Sequence, residues 1–306
     1  MKIHRSSLLG AILGTIAALA VSAHAQTPKD QRPPSPYQEE FHQTYALNPG
    51  GWITLKNING WVKIDSWNRN EVRVDALKYA GTRERLTEAR IEVESNPDTL
   101  TIRTHYNTDD QLVFTDDDIW HNPATVDYTL TVPATANLDA IKLINGNLDV
   151  ENISGDVHAD CINGRLRASG LGGRIELSTV NGRLEATYNG GTLAVNSAAP
   201  QTTTQANREI RLKSVNGNVV LTLASDTNAE VRAKTVSGNI SNDFGLPVND
   251  GRYVGHSLAG RFGSGAARID LKNVNGSISV YRASDGKNLS PVQNILEPRH
   301  ARQASF

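Results

Sequence analysis

A repeated pattern lies between Ile144 and Val195, where the chain reads INGNLDVENISGDVHADCINGRLRASGLGGRIELSTVNGRLEATYNGGTLAV. Glycine recurs in this stretch every nine residues, at Gly146, Gly155, Gly164, Gly173, Gly182 and Gly191. Apolar residues follow each glycine at the second and fourth positions, which is the alternation of a half-buried β-strand. The Asn-Gly and Gly-Gly pairs suit tight turns, because glycine readily takes a positive φ angle. The fixed period therefore indicates similar stacked units, each made of one strand and one turn.

Every second turn carries an asparagine before its glycine, so a period of 18 residues lies over the period of nine. The pairs concerned are Asn145 with Gly146, Asn163 with Gly164, and Asn181 with Gly182. We predict coils of about 18 residues with two kinds of corner. Equivalent positions of neighbouring coils then lie about 4.8 Å apart, and the asparagines form a ladder at one corner. The predicted fold class is all-β, a β-solenoid (β-helix) of short coils.

The N-terminal residues 1–25 have the layout of a secretory signal peptide. Basic residues at the start precede an apolar run over residues 8–21, and Ala23 and Ala25 flank the expected cleavage motif as small residues. The apolar run is 14 residues long, whereas a membrane-spanning helix needs about 20. The sequence therefore predicts an exported protein, periplasmic or at the cell surface or secreted, with no transmembrane segment in the mature chain.

Cleavage of this signal peptide is expected after Ala25, because small residues occupy both recognition positions of the motif. N-terminal sequencing of the exported protein should therefore begin at Gln26. An exported protein that retains residues 1–25 would contradict the prediction and indicate an uncleaved anchor.

The charge of the predicted mature chain argues against a nucleic-acid-binding protein. Loss of Lys2 and Arg5 leaves 29 basic and 32 acidic residues, a net charge of about −3. Proteins that bind nucleic acid through the phosphate backbone carry a clustered positive charge instead. We therefore predict no nucleic-acid partner.

The single cysteine, Cys161, has no partner within the chain for a disulfide. It lies at a turn position that other repeats fill with Thr179, Ser214 or Asn273. A catalytic thiol is normally activated by a histidine or another nearby cation, and no such motif accompanies this residue. We predict that Cys161 is a small structural residue at a corner.

The remaining sequence divides into a spacer, one folded domain and a tail. We predict a disordered Pro-rich spacer over 26–40, a single β-strand-repeat domain over 41–284, and a disordered tail over 285–306. Within the domain we predict a cap-like antiparallel sheet over 68–140, regular coils over 141–195 and looser coils over 205–283. Such a cap is expected because the open end of a stack exposes unpaired strand edges.

The combination of these features resembles a known family. The apolar export segment is followed by TLTVPATANL at 129–138, by repeated Val-Asn-Gly corners, and by ARIDLKNVNGSISVY at 267–281. This order is similar to that of a bacterial extracytoplasmic β-strand-repeat family, whose members are adhesin-like proteins of unknown function. The resemblance spans residues 41–283 and implies an extracytoplasmic β-solenoid. It implies no catalytic residue, because its motifs are structural glycines and apolar positions.

Two classes of function fit this fold. The first is a non-enzymatic envelope or secreted protein, an adhesin-like binding or scaffold module. The second is a β-helix carbohydrate-active enzyme of the polysaccharide lyase or hydrolase type, which needs convergent carboxylates or a basic catalytic residue. The outward residues Asp149, Arg167 and Glu185 alternate in charge at a spacing of 18, which predicts a salt-bridged surface ladder. We favour the non-enzymatic function.

No cofactor or metal is predicted. The histidines form no HxH or HExxH motif. The acidic stretch at 107–122 lacks the spacing and internal glycine of a calcium-binding loop, so we interpret it as a solvated loop.

Three arginines are candidates for anion binding. Arg165 and Arg183 take the same outward position one coil apart, and Arg174 follows on the adjoining strand. They are expected either to pair with Asp149 and Glu185 or to bind carboxylates or phosphates of a partner. An envelope polymer or an envelope protein is the expected partner.

Overall fold

The computed structural model describes residues 36–106, 124–188, 209–251 and 254–296 of the chain. Four predicted segments lie outside these ranges: the signal peptide, the spacer as far as residue 35, the acidic stretch at 107–122, and the end of the regular repeats after Tyr188. The described residues confirm the all-β class. None of their helices is long and apolar enough to cross a membrane.

From residue 137 to residue 242 the described strands alternate between long and short members, because each long strand there ends at an Asn-Gly or Ser-Gly corner and a short strand follows it. In chain order the strands are β1 (Tyr37–Ala46), β2 (Trp52–Asn59), β3 (Val62–Trp67), β4 (Glu71–Ala80), β5 (Ala89–Asn96), β6 (Thr99–Tyr106), β7 (Thr125–Pro133), β8 (Asn137–Asn145), β9 (Leu148–Glu151), β10 (Val157–Asn163), β11 (Leu166–Ser169), β12 (Ile175–Asn181), β13 (Leu184–Tyr188), β14 (Glu209–Asn216), β15 (Val219–Leu223), β16 (Ala229–Ser237), β17 (Ile240–Asn242), β18 (Asn249–Asp250), β19 (His256–Phe262), β20 (Ala267–Asn275), β21 (Ile278–Arg282) and β22 (Val292–Asn294). The helix α1 spans Arg83–Glu88.

Two sheets enclose the core. One sheet has the strand order β1-β4-β7-β3-β9-β11-β13-β15-β21-β17, and the other has the order β18-β19-β16-β20-β14-β12-β10-β8-β2-β6-β5, with β22 beside β19. Each coil places one strand in each sheet, as β10 and β11 do. Alternate residues of both sheets point inward and form one contiguous apolar core.

The strands of the regular coils pair in parallel, each residue with its equivalent one coil away. Leu166 pairs with Leu148 on one side and with Leu184 on the other, at intervals of 18 residues. In the second sheet Val157 pairs with Ile175 at the same interval. All three leucines are fully buried, so the column contributes directly to the apolar core.

The coils do not stack in chain order at either end of the molecule. The pair β6/β7 comes after β2/β3 in the chain but lies outside it in the stack. The pair β2/β3 is therefore placed between β6/β7 and β8/β9. The pair β20/β21 lies between β14/β15 and β16/β17, so the last full coil of the chain is internal in the stack. In this arrangement β20 has a parallel partner on both sides. Strand β16 pairs with β20 on one side and with the antiparallel strand β19 on the other.

The region 68–140 differs from the predicted antiparallel cap. Strand β4 is antiparallel to β1 and β7, and β5 is antiparallel to β6, as a cap would be. However, β6 and β7 run parallel to β2 and β3 and form a further coil of the stack. Apolar alternation predicts a strand but not its direction, which explains the difference.

Both predicted disordered ends contain ordered strands. Strand β1 begins at Tyr37, within the predicted spacer, and covers the edge of β4. Strand β22 lies within the predicted tail and pairs with β19. The tail is also attached through Asp285, whose carboxylate accepts a hydrogen bond of 2.6 Å from the hydroxyl of the buried Ser225. This hydrogen bond, together with those that the carboxylate accepts from the backbone amides of Ser225 and Lys287, lowers the pKa of Asp285 to about 2.

Candidate functional site

The asparagines at the corners form a continuous ladder. The side-chain amide of Asn163 donates to Oδ1 of Asn145 at 2.8 Å, and that of Asn181 donates to Oδ1 of Asn163 at 2.9 Å. The ladder continues through Asn59, Asn216 and Asn275. Every bond runs in the same direction, so each internal amide acts as both donor and acceptor. The ladder therefore links the corners of successive coils through side-chain hydrogen bonds.

The glycines that follow these asparagines have positive φ angles. The values are +142° at Gly146, +151° at Gly164 and +153° at Gly182. A Cβ atom on any of the three would overlap the carbonyl oxygen of the glycine in the neighbouring coil. Close backbone stacking at this corner therefore requires glycine.

Cys161 is buried beside this corner, and its thiol donates to the carbonyl oxygen of Gly146 at 3.4 Å. The equivalent positions use Asn273, whose amide donates to Gly217, and Thr235, whose hydroxyl donates to Gly276. Burial raises the pKa of the Cys161 thiol to about 11, so the nucleophilic thiolate is scarce at neutral pH. The cysteine thus takes a buried position that two other coils fill with a hydrogen-bond donor, whereas the hydroxyls of Thr179 and Ser214 at the same position have no hydrogen-bond partner among the described residues.

The structure brings together two of the three candidate arginines. Arg165 lies 3.8 Å from the carboxylate of Asp149, and Arg183 lies 2.5 Å from that of Glu185. Arg174 directly precedes the seven-residue strand β12, whereas Arg183 follows it. A strand of this length separates its ends by about 23 Å, so Arg174 lies at the other corner of the coil. The three arginines therefore do not lie at one corner, because Arg174 is separated from Arg183 by the length of β12.

No metal centre is present among the described residues, since no group of three or more His, Cys, Asp and Glu side chains is close enough to hold an ion. The acidic stretch at 107–122 lies outside the described residues, so its interpretation as a solvated loop remains a prediction.

A surface that the sequence reasoning missed lies on the outer face of β14, β20 and β16. The register aligns Glu209, Arg268 and Glu230 in one row across the three strands. The next row contains Arg211, Asp270 and Arg232. The charge alternates along both rows, which is the favourable arrangement for side chains that face each other across paired strands.

The third row on the same face contains only lysines. Lys272 on β20 lies between Lys213 on β14 and Lys234 on β16. Lys213 pairs with Glu176 at 2.6 Å. Within the part of the chain that the structure describes, Lys272 and Lys234 form no ion pair. Like charges directly opposite one another are destabilising, so this row contrasts with its two neighbours.

Exposed valines lie two residues after these lysines. Val215, Val274 and Val236 form an outward row and are 41%, 42% and 53% exposed. The segment at 254–257 faces them and contributes Val254, which is 68% exposed, and His256. Together these residues enclose an open cleft of about 710 Å³. We call it the lysine–valine cleft, defined by the three lysines, the three valines and the facing segment.

The cleft has a signal in the sequence. The floor comes from three similar pentapeptides, KSVNG at 213–217, KTVSG at 234–238 and KNVNG at 272–276. Similar pentapeptides, KNING at 56–60 and KLING at 142–146, occur near the other end of the stack. The facing segment belongs to the β18 and β19 end, so the lysines at 56 and 142 lack this wall.

Comparison with known protein families finds a match that covers most of the repeat region. Residues 136–281 match the Toastrack family, DUF4097. This match confirms the resemblance to an adhesin-like, β-strand-repeat family of unknown function. The Toastrack match runs from β8 into β21 and contains all three pentapeptides of the cleft floor. No curated protein matches the chain.

Three of the solved structures that match this protein have low sequence identity to it. A candidate cell adhesion protein from Clostridium sporogenes is 12% identical, with a TM-score of 0.43 and coverage of 80% of this chain and 100% of that chain. A candidate adhesin from Bacteroides fragilis is 12% identical, with a TM-score of 0.27 and coverage of 79% and 97%. A candidate adhesin from Parabacteroides merdae is 9% identical, with a TM-score of 0.29 and coverage of 80% and 97%.

Proposed function

We propose that this protein is an exported, non-enzymatic module of the cell envelope, adhesin-like in the sense that it binds a partner and catalyses no reaction on it. We place the binding site in the lysine–valine cleft and assign it an anionic partner. The observation that carries the proposal is the row of Lys213, Lys272 and Lys234, in which two lysines have no ion-pair partner among the described residues.

The neighbouring rows support this assignment. In the adjoining row of Glu209, Arg268 and Glu230, positive and negative residues alternate. The same strands provide no carboxylate at the lysine row. An anionic group bound there would relieve the repulsion between Lys272 and Lys234 through charge-assisted hydrogen bonds.

The groups in the cleft do not support the alternative of a polysaccharide lyase or hydrolase. Its titratable residues are the three lysines and His256, whose Nδ1 lies 2.8 Å from the carboxylate of Asp250. A hydrolase of the usual type needs two carboxyl groups across the scissile bond. Among the described residues that line the cleft there is no such pair.

Replacing both unpaired lysines should abolish most anion binding. We expect Lys234→Glu/Lys272→Glu to reduce co-sedimentation with polygalacturonate, an acidic polymer, at least about tenfold, because two attractive contacts become repulsive. Binding by the wild type should also weaken as salt is added. The matched control is Lys142→Glu, which changes an exposed lysine at the same position of a coil outside the cleft.

Polygalacturonate also tests the enzymatic alternative, because turnover by a lyase or hydrolase would shorten the polymer or generate unsaturated ends. We expect no turnover. Turnover by the purified protein that a single Asp or Arg substitution abolishes would overturn the non-enzymatic proposal. Equal loss of binding in the cleft variant and the Lys142→Glu control would overturn the placement of the site.

The pair of Arg165 and Arg183 is the second candidate for the site that binds the anionic partner, and the same assay tests it. Arg165 already contacts a carboxylate of the neighbouring coil, and Arg183 contacts one of its own coil. We therefore expect Arg165→Ala/Arg183→Ala to sediment with the polymer nearly as the wild type does. A larger loss in this variant than in the lysine variant would move the site to the arginine corner.

A further inference from the structure

We infer that the ligand of the lysine–valine cleft is a single-chain anionic amphiphile, a long-chain carboxylate or a phosphate monoester. Its apolar chain would lie along Val215, Val274 and Val236, with its head group at Lys272 and Lys234. The inference rests on the proposed function and specifies the chemistry of the partner.

The first argument is the shape of the apolar surface. The valine row continues a narrow stripe of outward aliphatic residues along the corners of successive coils. From the other end of the stack, the members before the cleft are Ile58, Ile144, Ile162 and Val180. The stripe is one residue wide, with about 4.8 Å between members. Such a surface matches a linear hydrocarbon chain, whereas a protein interface has a broad apolar centre.

The second argument is the wall at one end of this stripe. The segment at 254–257 brings Val254 to the same cleft as the valine row, and the cleft has a volume of about 710 Å³. Pockets for small ligands typically measure about 300–1,000 Å³ and are mostly apolar, with a few polar groups that orient the ligand. The lysine–valine cleft has this composition.

The third argument is the position of the charge relative to the apolar floor. On β20, Lys272 and Val274 point to the same face and lie two residues apart, at a separation of about 7 Å. Lysine stems lie readily along an apolar surface while their ammonium groups stay in water. A ligand that satisfies both rows must therefore carry an anionic group beside an apolar chain. A sugar polymer would satisfy the lysines and leave the valines without apolar contacts.

Isothermal titration of the purified mature chain with monomeric octanoate, decanoate and dodecanoate tests this inference. Each additional methylene that becomes buried should strengthen binding about fourfold. Acetate, which has the charge without the chain, and dodecyltrimethylammonium, which has the chain with the opposite charge, should bind at least about tenfold more weakly than dodecanoate. Affinity that does not change with chain length would overturn the inference.

Variants of the cleft valines and lysines test whether dodecanoate binds in the cleft. Val236→Ser/Val274→Ser should weaken dodecanoate at least about tenfold and leave sedimentation with polygalacturonate unchanged, because only apolar contacts are removed. Lys234→Gln/Lys272→Gln should weaken both. The matched control, Ile144→Ser, removes an exposed member of the same stripe outside the cleft and should bind dodecanoate as the wild type does. Equal weakening in the control would overturn the assignment to the cleft.

Two further results separate the possible failures. Polymer binding that depends on the lysines, without any effect of chain length, would refute the amphiphile and preserve the proposed function. Absence of binding to every anion would refute both. Vesicles of phosphatidylglycerol distinguish a free amphiphile from a membrane lipid, because a cleft that takes one chain should bind monomers. Binding to vesicles without binding to monomeric dodecanoate would contradict the inference.

Discussion

Replacing Gly164 by valine is expected to destabilise the folded protein by about 2–6 kcal/mol, the combined cost of an unfavourable φ angle and of overpacking. The φ angle of Gly164 is +151°, a region that β-branched residues rarely adopt. The added Cβ would also overlap the carbonyl oxygen of Gly146 in the neighbouring coil. That oxygen belongs to the backbone, so a side-chain rotation offers no relief. Chemical denaturation followed by far-UV circular dichroism measures the effect.

A comparison of two alanine variants separates the φ angle from the overlap. Gly50 has a φ angle of +77°, and a Cβ atom there meets nothing within 4 Å. Gly50→Ala therefore incurs the backbone cost alone, whereas Gly164→Ala also incurs the overlap. We expect Gly164→Ala to be more destabilising by about 1–3 kcal/mol. Equal losses in the two variants would show that the corners do not stack as closely as the structure indicates.

Ending the chain after Gly265 is expected to unfold the end of the stack. The truncation removes β20 and β21, which lie between β14/β15 and β16/β17. Strand β16 then keeps only its antiparallel neighbour β19, whose other remaining partner, β18, has two residues. A ribbon of little more than two strands is marginally stable in water. Hydrogen exchange monitored by mass spectrometry should show protection of the β16 amides falling by roughly a hundredfold or more.

The control for this experiment ends the chain after residue 284. It keeps β20 and β21 and removes the hydrogen bonds from Asp285 and the pairing of β22 with β19. We expect β16 to remain protected in this shorter-tailed protein. Equal protection of β16 in both truncations would mean that β16 can pair directly with β14, and the non-sequential order of the coils would lose its support.

Local features of the sequence were enough to predict the repeating unit. Alternation of apolar residues after each glycine identifies which residues enter the core, as the buried column of Leu148, Leu166 and Leu184 illustrates. Asparagine before glycine at intervals of 18 identifies one corner, where Asn163 bonds to Asn145. These inferences succeed because side-chain direction in a strand and the φ preference of glycine depend on only a few neighbouring residues.

Tertiary structure alone decided the order of the coils and the direction of several strands. The backbone groups at a strand edge can form hydrogen bonds with any strand of matching length. The sequence of β14 therefore does not determine whether β16 or β20 pairs with it. The strands of the region 68–140 show the same limit, since β4 is antiparallel to its partner β7 while β7 is parallel to β3. Pairing is a property of two segments distant in the chain.

In the candidate site, too, some features follow from the sequence and others only from the tertiary structure. The sequence by itself determined the three pentapeptides KSVNG, KTVSG and KNVNG, and thereby a lysine and a valine on the outer face of three strands. It did not show that Lys272 lies between Lys213 and Lys234, because this contact requires β20 to enter between β14 and β16. Nor did it show that the segment at 254–257 would face the valines. The charge and the apolar surface are thus local properties, whereas the cleft exists only because distant segments pair.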